Sequence, residues 1–149
     1  MILLSRRGYL ALAAVADIAI HARAAPVAAK ALAARLNLPP RHLESLLQDL
    51  VHANILKSVR GPRGGYELAR ERRRIAAASV LRPVSESEEN NVEKTGNCRL
   101  VREVIAPIVD AAGRAFLDEL DTITIDDICR RAEALKLCDE RIPGPDFAI

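Results

Sequence analysis

Aromatic residues and cysteines are scarce in this sequence. Its 149 residues include two Tyr, two Phe and no Trp, and most of its apolar residues are Ala, Leu, Ile and Val, which suits closely packed helices. The three cysteines, Cys98, Cys129 and Cys138, are too few for a disulfide framework and predict a reducing, cytoplasmic environment. Because no apolar run approaches the roughly 18 residues of a membrane-spanning helix, we expect no membrane partner.

Residue groupings that indicate catalysis are also missing. The three histidines, His21, His42 and His52, do not share a catalytic spacing with Cys or Asp. The glycine-rich segment 60–65 could be a nucleotide phosphate loop, but it lacks the following helix with Lys and Ser or Thr that such a loop requires. The sequence therefore predicts neither an enzyme nor a metal site.

The N-terminus has the outline of a twin-arginine signal peptide, since an Arg-Arg pair precedes a largely apolar stretch at 10–25. Asp17 and His21 interrupt this stretch, whereas the apolar region of a signal peptide avoids charge. Residues four apart lie on one stripe of a helix, so both polar residues can share one side of it. We therefore predict a helix over 6–22, capped by Ser5 and covered on more than one side.

Charge is distributed unevenly along the chain. Residues 1–84 hold 14 Lys and Arg against five Asp and Glu, a net charge of +9, whereas residues 85–149 hold eight against 15, a net charge of −7. A basic region indicates a polyanion as partner, although two ordinary solvated surfaces would give the same totals. The charge pattern alone leaves both interpretations open.

A helix-turn-helix pattern occupies residues 26–53. Pro26 and Val27 open a predicted helix that ends near Leu36. Asn37 suits the turn, and a third helix covers 40–53. Four leucines of this third helix recur at the spacing of a buried stripe, and polar residues recur at the same spacing on the opposite face. The leucines are Leu43, Leu46, Leu47 and Leu50, and the polar residues are Arg41, Glu44, Ser45 and Gln48.

A basic hairpin is predicted directly after these helices. Segments 55–59 and 66–68 are predicted strands on either side of the turn at 60–65. The turn carries Arg60 and Arg63 among small residues, so its backbone can approach a phosphate or enter a narrow groove. A helix-turn-helix followed by such a hairpin is a winged helix. Further charge follows the wing at Arg70, Arg72, Arg73 and Arg74.

Three segments carry a resemblance to a known family. They are Leu-Ser-Arg-Arg-Gly-Tyr at 4–9, His-Leu-Glu-Ser-Leu-Leu at 42–47 and Ser-Val-Arg-Gly-Pro-Arg-Gly-Gly-Tyr-Glu-Leu at 58–68, with a weaker Ile-Thr-Ile-Asp-Asp-Ile at 123–128. In this order they resemble the Rrf2 family of bacterial winged helix-turn-helix transcription regulators. That family includes the iron-sulfur cluster regulator, the nitric-oxide-sensing repressor and the cysteine-metabolism repressor.

The resemblance implies a homodimer that binds a palindromic operator in double-stranded DNA, with its third helix in the major groove and its wing in the flanking minor groove. We predict that this regulator is a repressor. It makes Glu44 a recognition-helix residue and Arg60 the wing residue that enters the minor groove. Chemistry agrees, because Glu can accept from cytosine N4 and an A·T-rich minor groove attracts Arg. The predicted DNA-binding residues are Arg6, Arg7, Pro40, Arg41, His42, Glu44, Ser45, Gln48, Lys57, Arg60, Gly61, Arg63, Gly64 and Tyr66.

The second half of the chain is predicted to sense a signal and to dimerise. We expect a winged-helix domain at 1–84, an exposed sensor-type loop at 85–98, and dimerisation helices with a C-terminal tail at 99–149. A long helix over 99–121 contains Pro107, which should kink or restart it, and a final helix covers 125–136. The apolar stripe of the long helix is too long for the remaining elements to cover, which predicts a second copy packed on Val101, Ile105, Ile108, Ala112 and Phe116.

The predicted fold class is therefore mainly α with a small β-hairpin wing, a winged helix-turn-helix followed by a long dimerisation helix. A sequence-specific transcription regulator is the favoured function. A non-DNA-binding interaction module on the same scaffold is the alternative from another class, and it would have no reason to keep a basic wing.

Cysteine content limits which signal can be sensed. Cluster-binding members of the resembling family place three cysteines before the long helix, whereas this chain has only Cys98 there. An iron-sulfur cluster usually takes four protein ligands, so we predict no cofactor, and a cluster completed by other ligands is the alternative. Cys98 itself is either a redox-responsive thiol near a helix N-terminus or a bystander, and Cys129 is predicted to be a core residue.

Overall fold

The computed structural model describes residues 4–89 and 98–139. Within these residues the chain is mainly helical with one two-stranded antiparallel hairpin, which confirms the predicted fold class. The order is α1 (Arg6–His21), α2 (Ala29–Arg35), α3 (Arg41–His52), β1 (Leu56–Val59), β2 (Gly65–Leu68), a 3-10 turn (Arg72–Arg74), α4 (Ala77–Glu89), a π-helical turn (Val101–Ile105), α5 (Ala106–Asp121), α6 (Ile125–Ala134) and a 3-10 turn (Leu137–Asp139).

Helix α1 lies at the centre of the core. Its N-terminus is capped as predicted, because the Ser5 hydroxyl accepts a hydrogen bond from the Gly8 N–H at 3.1 Å. The helix packs against α2, α3, α4, α6 and β2. Small side chains allow this close approach from several directions, and its fully buried apolar residues are Ala11, Ala14, Val15 and Ile18.

Asp17, the charged residue of the polar stripe on α1, faces α2 rather than solvent. Asp17 and Arg35 form a two-pronged ion pair, with Arg35 Nη2 at 2.7 Å and Nε at 2.8 Å from the two carboxylate oxygens. Only 11% of the Asp17 side chain and 17% of the Arg35 side chain are exposed. The hydrogen bond to Asp17 raises the pKa of Arg35. The charge that interrupts the apolar N-terminal stretch therefore joins two helices.

Helix α2 begins later than the sequence predicts. Pro26 and Val27 were expected to open it, but α2 starts at Ala29. Val27 instead forms an antiparallel bridge to Tyr66, with backbone hydrogen bonds of 2.9 and 2.8 Å. A Cβ at Gly65 would overlap the Val27 backbone, so this close approach requires glycine there. Val27 thus pairs with a strand, although the local sequence predicts that it belongs to a helix.

Helix α3 matches its prediction closely. Asn37 adopts a positive φ of 55° in the turn before it, a conformation that Asn tolerates. The four predicted leucines are buried in the common core, and the opposite face is exposed. Helix α3 also contacts α4 and β1. Its orientation is therefore set by the leucine stripe Leu43, Leu46, Leu47 and Leu50.

Helix α4 corrects the predicted loop at 85–98. It runs from Ala77 to Glu89, so the first five residues of that segment are helical. Its apolar residues Val80, Leu81 and Val84 are buried, and burial against α1 outweighs the polar composition of its C-terminal end. The rest of the predicted loop, 90–97, lies outside the described residues.

The long helix is interrupted at Pro107, as predicted. A π-helical turn covers Val101–Ile105, and the Ala106 N–H donates to the carbonyl of Val101, five residues back. Pro107 follows in the first turn of α5, where its missing N–H costs nothing. The π-helical turn thus ends just before Pro107, whose ring would collide with a carbonyl in the interior of a regular α-helix.

Helix α6 joins the C-terminal half to the core. Thr124 and Asp127 form a reciprocal capping box, and the Thr124 N–H bond lowers the pKa of Asp127. The helix ends at Ala134 rather than at 136, where Lys136 has a positive φ of 60°. Cys129 is fully buried, as predicted. Among the described residues, no helix has the length and apolarity to cross a membrane.

We expect Asp17→Ala to lower the free energy of unfolding by about 3 kcal/mol, because it leaves the Arg35 guanidinium largely buried without its carboxylate. Chemical denaturation measures this loss. The exposed pair of Arg23 and Glu133 gives a matched control, since Glu133→Ala should cost less than about 0.5 kcal/mol. Equal losses for the two variants would contradict a structural role for the buried pair.

Candidate nucleic-acid interface

The polar face of α3 is exposed as the sequence predicts. Pro40 stands at its N-terminus, and Arg41, His42, Glu44, Ser45 and Gln48 all reach solvent. Within the described residues, no side chain pairs with Arg41, His42, Glu44 or Gln48. Their hydrogen-bonding groups are therefore available to an external partner.

Glu44 is the distinctive residue of this face. It is an acceptor in its ionised form, and it lies one residue before Ser45 on the exposed surface. An unpaired carboxylate repels phosphate, so its presence on a nucleic-acid-facing helix requires a donor to meet it. The exocyclic amines of cytosine and adenine are such donors in the major groove.

The start of α1 lies beside the start of α3. Arg6, Arg7 and Leu10 line a cleft of about 330 Å³ with His42 and Leu46. Arg6 is exposed and, in the described part of the chain, forms no ion pair. The cleft thus presents one free guanidinium and one imidazole beside the polar face of α3.

Arg7 differs from Arg6 because it is engaged within the protein. Its Nη2 lies 2.5 Å from Asp49 Oδ2, and its Nη1 donates to Ser45 Oγ at 3.2 Å. Arg7 is one of the residues predicted to bind DNA, whereas Asp49 carries no prediction from the sequence. The spacing of Ser45 and Asp49, four residues apart, places both on one helix face and could have indicated their shared partner.

The wing is a tight antiparallel hairpin. Leu56 pairs with Leu68 and Val59 with Gly65, and residues 60–64 form its tip. Gly61 has a positive φ of 116°, and a Cβ at Gly64 would overlap the Val59 carbonyl, so both positions require glycine. The tip is exposed from Arg60 to Arg63.

Charges of the wing divide into free and paired ones. Arg60 and Arg63 form no ion pair among the described residues. Lys57, by contrast, pairs with Glu67 across the strands at 2.8 Å. Tyr66 is half-buried against the core, and its backbone bonds to Val27. The two arginines of the tip are therefore the available cations of this hairpin.

The arginines after the wing are not all free, contrary to the expectation of added surface charge. Asp126 is only 3% exposed and lies 2.7 Å from Arg72 Nε and 3.0 Å from Arg130 Nε. Arg73 Nε is 3.8 Å from the same carboxylate. The cause is burial, because a buried carboxylate requires cations around it. Asp126 and Arg130 have the i, i+4 spacing of a helical salt bridge, so the local sequence could have indicated this pair. No local pattern links Asp126 to Arg72 and Arg73, which come from a separate element.

The apolar face of the long helix is exposed in the single chain. Ile108 is 63% exposed and Ile105 45% exposed, and Leu100, Val104 and Val109 are exposed beside them. Val101 and Phe116 are half-buried, and Ala112 is exposed. Toward its C-terminal end α5 packs on α4, where Arg82 binds Asp121 at 2.7 Å. The exposed apolar stripe is thus concentrated in the half nearer Cys98.

The three cysteines are free thiols in different parts of the fold. Cys98 is exposed immediately before the helical run, Cys129 is buried between α1 and α6, and Cys138 is half-buried beyond α6. Among residues 4–89 and 98–139, no group of three or more His, Cys, Asp or Glu could hold a metal ion. Residues 90–97 contain no cysteine either. The donor set therefore does not fit a thiolate-ligated iron-sulfur cluster.

Comparison with known proteins agrees with this architecture. The family model Rrf2, described as an iron-dependent transcriptional regulator, matches residues 4–131. The HTH-type transcriptional regulator IscR of Vibrio campbellii is 29% identical over 141 residues, covering 93% of this chain and 83% of the relative.

Two solved structures are also similar. The structure titled T. potens IscR has a TM-score of 0.70 and 31% identity, covering 89% of this chain and 90% of its own. Staphylococcus aureus CymR in an oxidized form has a TM-score of 0.62 and 26% identity, covering 87% of this chain and 96% of its own. These relatives are transcription regulators rather than enzymes, and the chain belongs to the Rrf2 family of winged-helix transcription regulators.

Proposed function

We propose that this protein is a cytoplasmic repressor that binds a palindromic operator in double-stranded DNA as a homodimer. The observation that carries the proposal is the exposed polar face of α3, on which four residues have no side-chain partner in the described part of the chain: Arg41, His42, Glu44 and Gln48. A buried leucine stripe holds this face outward. A helix with these side chains fits the major groove. The direction of regulation is supported by the repressors within the family that the sequence resembles.

The wing supplies the second part of the proposed interface. Arg60 and Arg63 extend from a tip whose glycines keep the backbone narrow. An arginine at such a tip can enter a narrow minor groove, where the negative potential is enhanced. Arg6 at the start of α1 is suited to a phosphate contact. An interaction module that does not read DNA would not need this combination of unpaired cations.

A second chain is proposed to cover the exposed stripe on the long helix. Contiguous apolar side chains at Leu100, Val104, Ile105, Ile108 and Val109 are costly in water and typical of protein interfaces. A two-fold axis through this contact would present two copies of α3 to two half-sites. The palindrome of the proposed operator follows from that symmetry.

The contacts with bases can be tested by substitution. We expect Arg60→Ala and Glu44→Ala each to cost about 1–3 kcal/mol of specific binding, because each removes a base-directed group. Both residues are exposed, so the melting temperature should not change. Fluorescence anisotropy with an operator obtained by selection from random DNA measures the loss.

Arg73→Ala is a matched control for charge, since this residue is exposed and basic but lies beside Asp126. We expect this variant to weaken binding to all sequences equally and to flatten the salt dependence, as the loss of a phosphate contact does. Unchanged operator affinity for Arg60→Ala would contradict the winged-helix mode of binding.

Ile108→Asp tests the dimer. A carboxylate in the centre of the apolar stripe would have to be buried on association, so we expect the variant to sediment as a monomer and to lose operator binding. Asp110 is exposed on the same helix, and Asp110→Asn should leave the assembly unchanged. A wild-type protein that stays monomeric at micromolar concentration would contradict the homodimer.

A redox-responsive thiol is a second candidate function, favoured by the exposure of Cys98 directly before the long helix. A solved relative, CymR of Staphylococcus aureus, was obtained in an oxidized form. Peroxide converts a thiolate to a sulfenic acid and is itself reduced to water. Oxidation at this position would place a new polar group beside the proposed dimer contact.

We expect protein purified without oxygen to be colourless and to bind DNA, because one exposed thiolate cannot hold a cluster. Cys98→Ser should keep the DNA affinity and lose any response to peroxide, whereas Cys138→Ser serves as the control. A brown protein with stoichiometric iron and sulfide would overturn this interpretation. Equal peroxide responses in wild type and Cys98→Ser would remove Cys98 as the sensor.

A further inference from the structure

One guanidinium connects the first helix to two residues of the proposed recognition helix. Arg7 of α1 binds Asp49 Oδ2 through Nη2 at 2.5 Å and Ser45 Oγ through Nη1 at 3.2 Å. Arg7 and Asp49 are both partly buried, with about a third or less of each side chain exposed. The neighbouring Arg6 has no such partner among the described residues. The two adjacent arginines therefore have different roles.

The geometry of this contact restricts α3. A guanidinium is planar and its two terminal nitrogens point in fixed directions, so binding two residues one helical turn apart fixes rotation as well as distance. The leucine stripe sets which face of α3 is exposed, and the Arg7 contact adds a polar restraint on the exposed side. Asp49 also compensates the charge of Arg7, which reduces its attraction for phosphate.

The same contact determines what Ser45 can offer to DNA. A serine hydroxyl has one proton and two lone pairs. Because Ser45 Oγ accepts from Arg7, its own proton points away from the guanidinium and can be donated to an acceptor outside the protein. Glu44 beside it is an acceptor without a partner in the described residues. The two adjacent positions thus present an acceptor and a donor.

We propose that Arg7 and Asp49 are a positioning pair that holds Ser45 as a hydrogen-bond donor and so determines base preference at the position it faces. This rests on the proposed function, in which α3 lies in the major groove. The acceptors available there are purine N7, guanine O6 and thymine O4. Ser45 therefore favours a base that presents an acceptor. Glu44 favours a neighbouring base that presents an exocyclic amine.

A phosphate contact by Arg7 makes opposite predictions. Its removal would weaken binding to all sequences and reduce the salt slope by about 1. Loss of Asp49 would then strengthen binding, because a negative charge near the DNA would disappear. In the positioning pair, loss of either partner has the same effect on base preference and little effect on the salt slope.

The experiment is selection from a random DNA library, followed by affinity measurements at several salt concentrations. It uses the full chain as wild type, Arg7→Gln, Asp49→Asn, the double variant and Ser45→Ala. We expect each of the four variants to lose about fivefold of its discrimination between bases at the same operator position. This is the fold-change expected from the loss of about one hydrogen bond. The double variant should lose no more than either single variant.

Two further variants separate positioning from charge. Arg7→Lys keeps the charge but cannot bind both residues with one fork, so we expect it to lose the same discrimination. Arg6→Gln is the matched control and should weaken binding to all sequences, lower the salt slope by about 1 and keep the base preference. Melting temperatures show whether a variant is folded, and Ser45→Ala, at an exposed position, leaves the ion pair intact.

The outcomes distinguish this inference from the function on which it depends. Variants of Arg7 and Asp49 that keep the wild-type base preference overturn the positioning pair alone. So does Arg7→Gln with a reduced salt slope and an unchanged preference, which would identify a phosphate contact. A wild-type protein that enriches no sequence overturns the proposed function and the positioning pair together.

Discussion

Burial of α1 on several sides is the constraint on which the rest of the structure depends. The helix contacts the elements that form the proposed DNA-binding surface, α2, α3 and β2, and also α4 and α6 of the following segment. Its alanines make this possible, since larger side chains would keep so many neighbours apart. The carboxylate of Asp17 within this arrangement is compensated by Arg35 of α2. A single core therefore supports both the proposed interface and the C-terminal helices.

The base of the wing is joined to the C-terminal half by backbone and side-chain contacts. Ile125 N–H donates to the Ile75 carbonyl and Ala77 N–H to the Ile123 carbonyl, both at 2.8 Å. Beside this short pairing, Asp126 brings together arginines from the 3-10 turn and from α6. The segment before α4 and the segment after α5 are thus held against each other. The exposed apolar stripe on the long helix belongs to the same connected body as the wing.

Local patterns predicted the parts of the fold that local physics determines. The leucine stripe of α3, the Ser5 cap, the hairpin and the interruption at Pro107 all follow from spacing, capping or backbone restriction. Non-local contacts determine what was missed. Val27 pairs with Tyr66 39 residues later, and Arg7 meets Asp49 across 42 residues, so no window of sequence contains both partners. Helix α4 was missed because its polar C-terminal end resembles a loop. The contact of Asp126 with Arg72 was missed because the two residues lie 54 positions apart. The exposed face of α3 could be predicted, whereas the engagement of Ser45 by Arg7 could not.

The central claim is that two copies of α3 enter successive major grooves of one operator, with the wings outside them. Hydroxyl-radical footprinting on a selected operator tests it most directly, because it reports protection at each nucleotide. We expect two protected blocks related by two-fold symmetry about one helical turn apart, with additional minor-groove protection on their outer sides. A single asymmetric block, or equal protection of unrelated DNA, would contradict it.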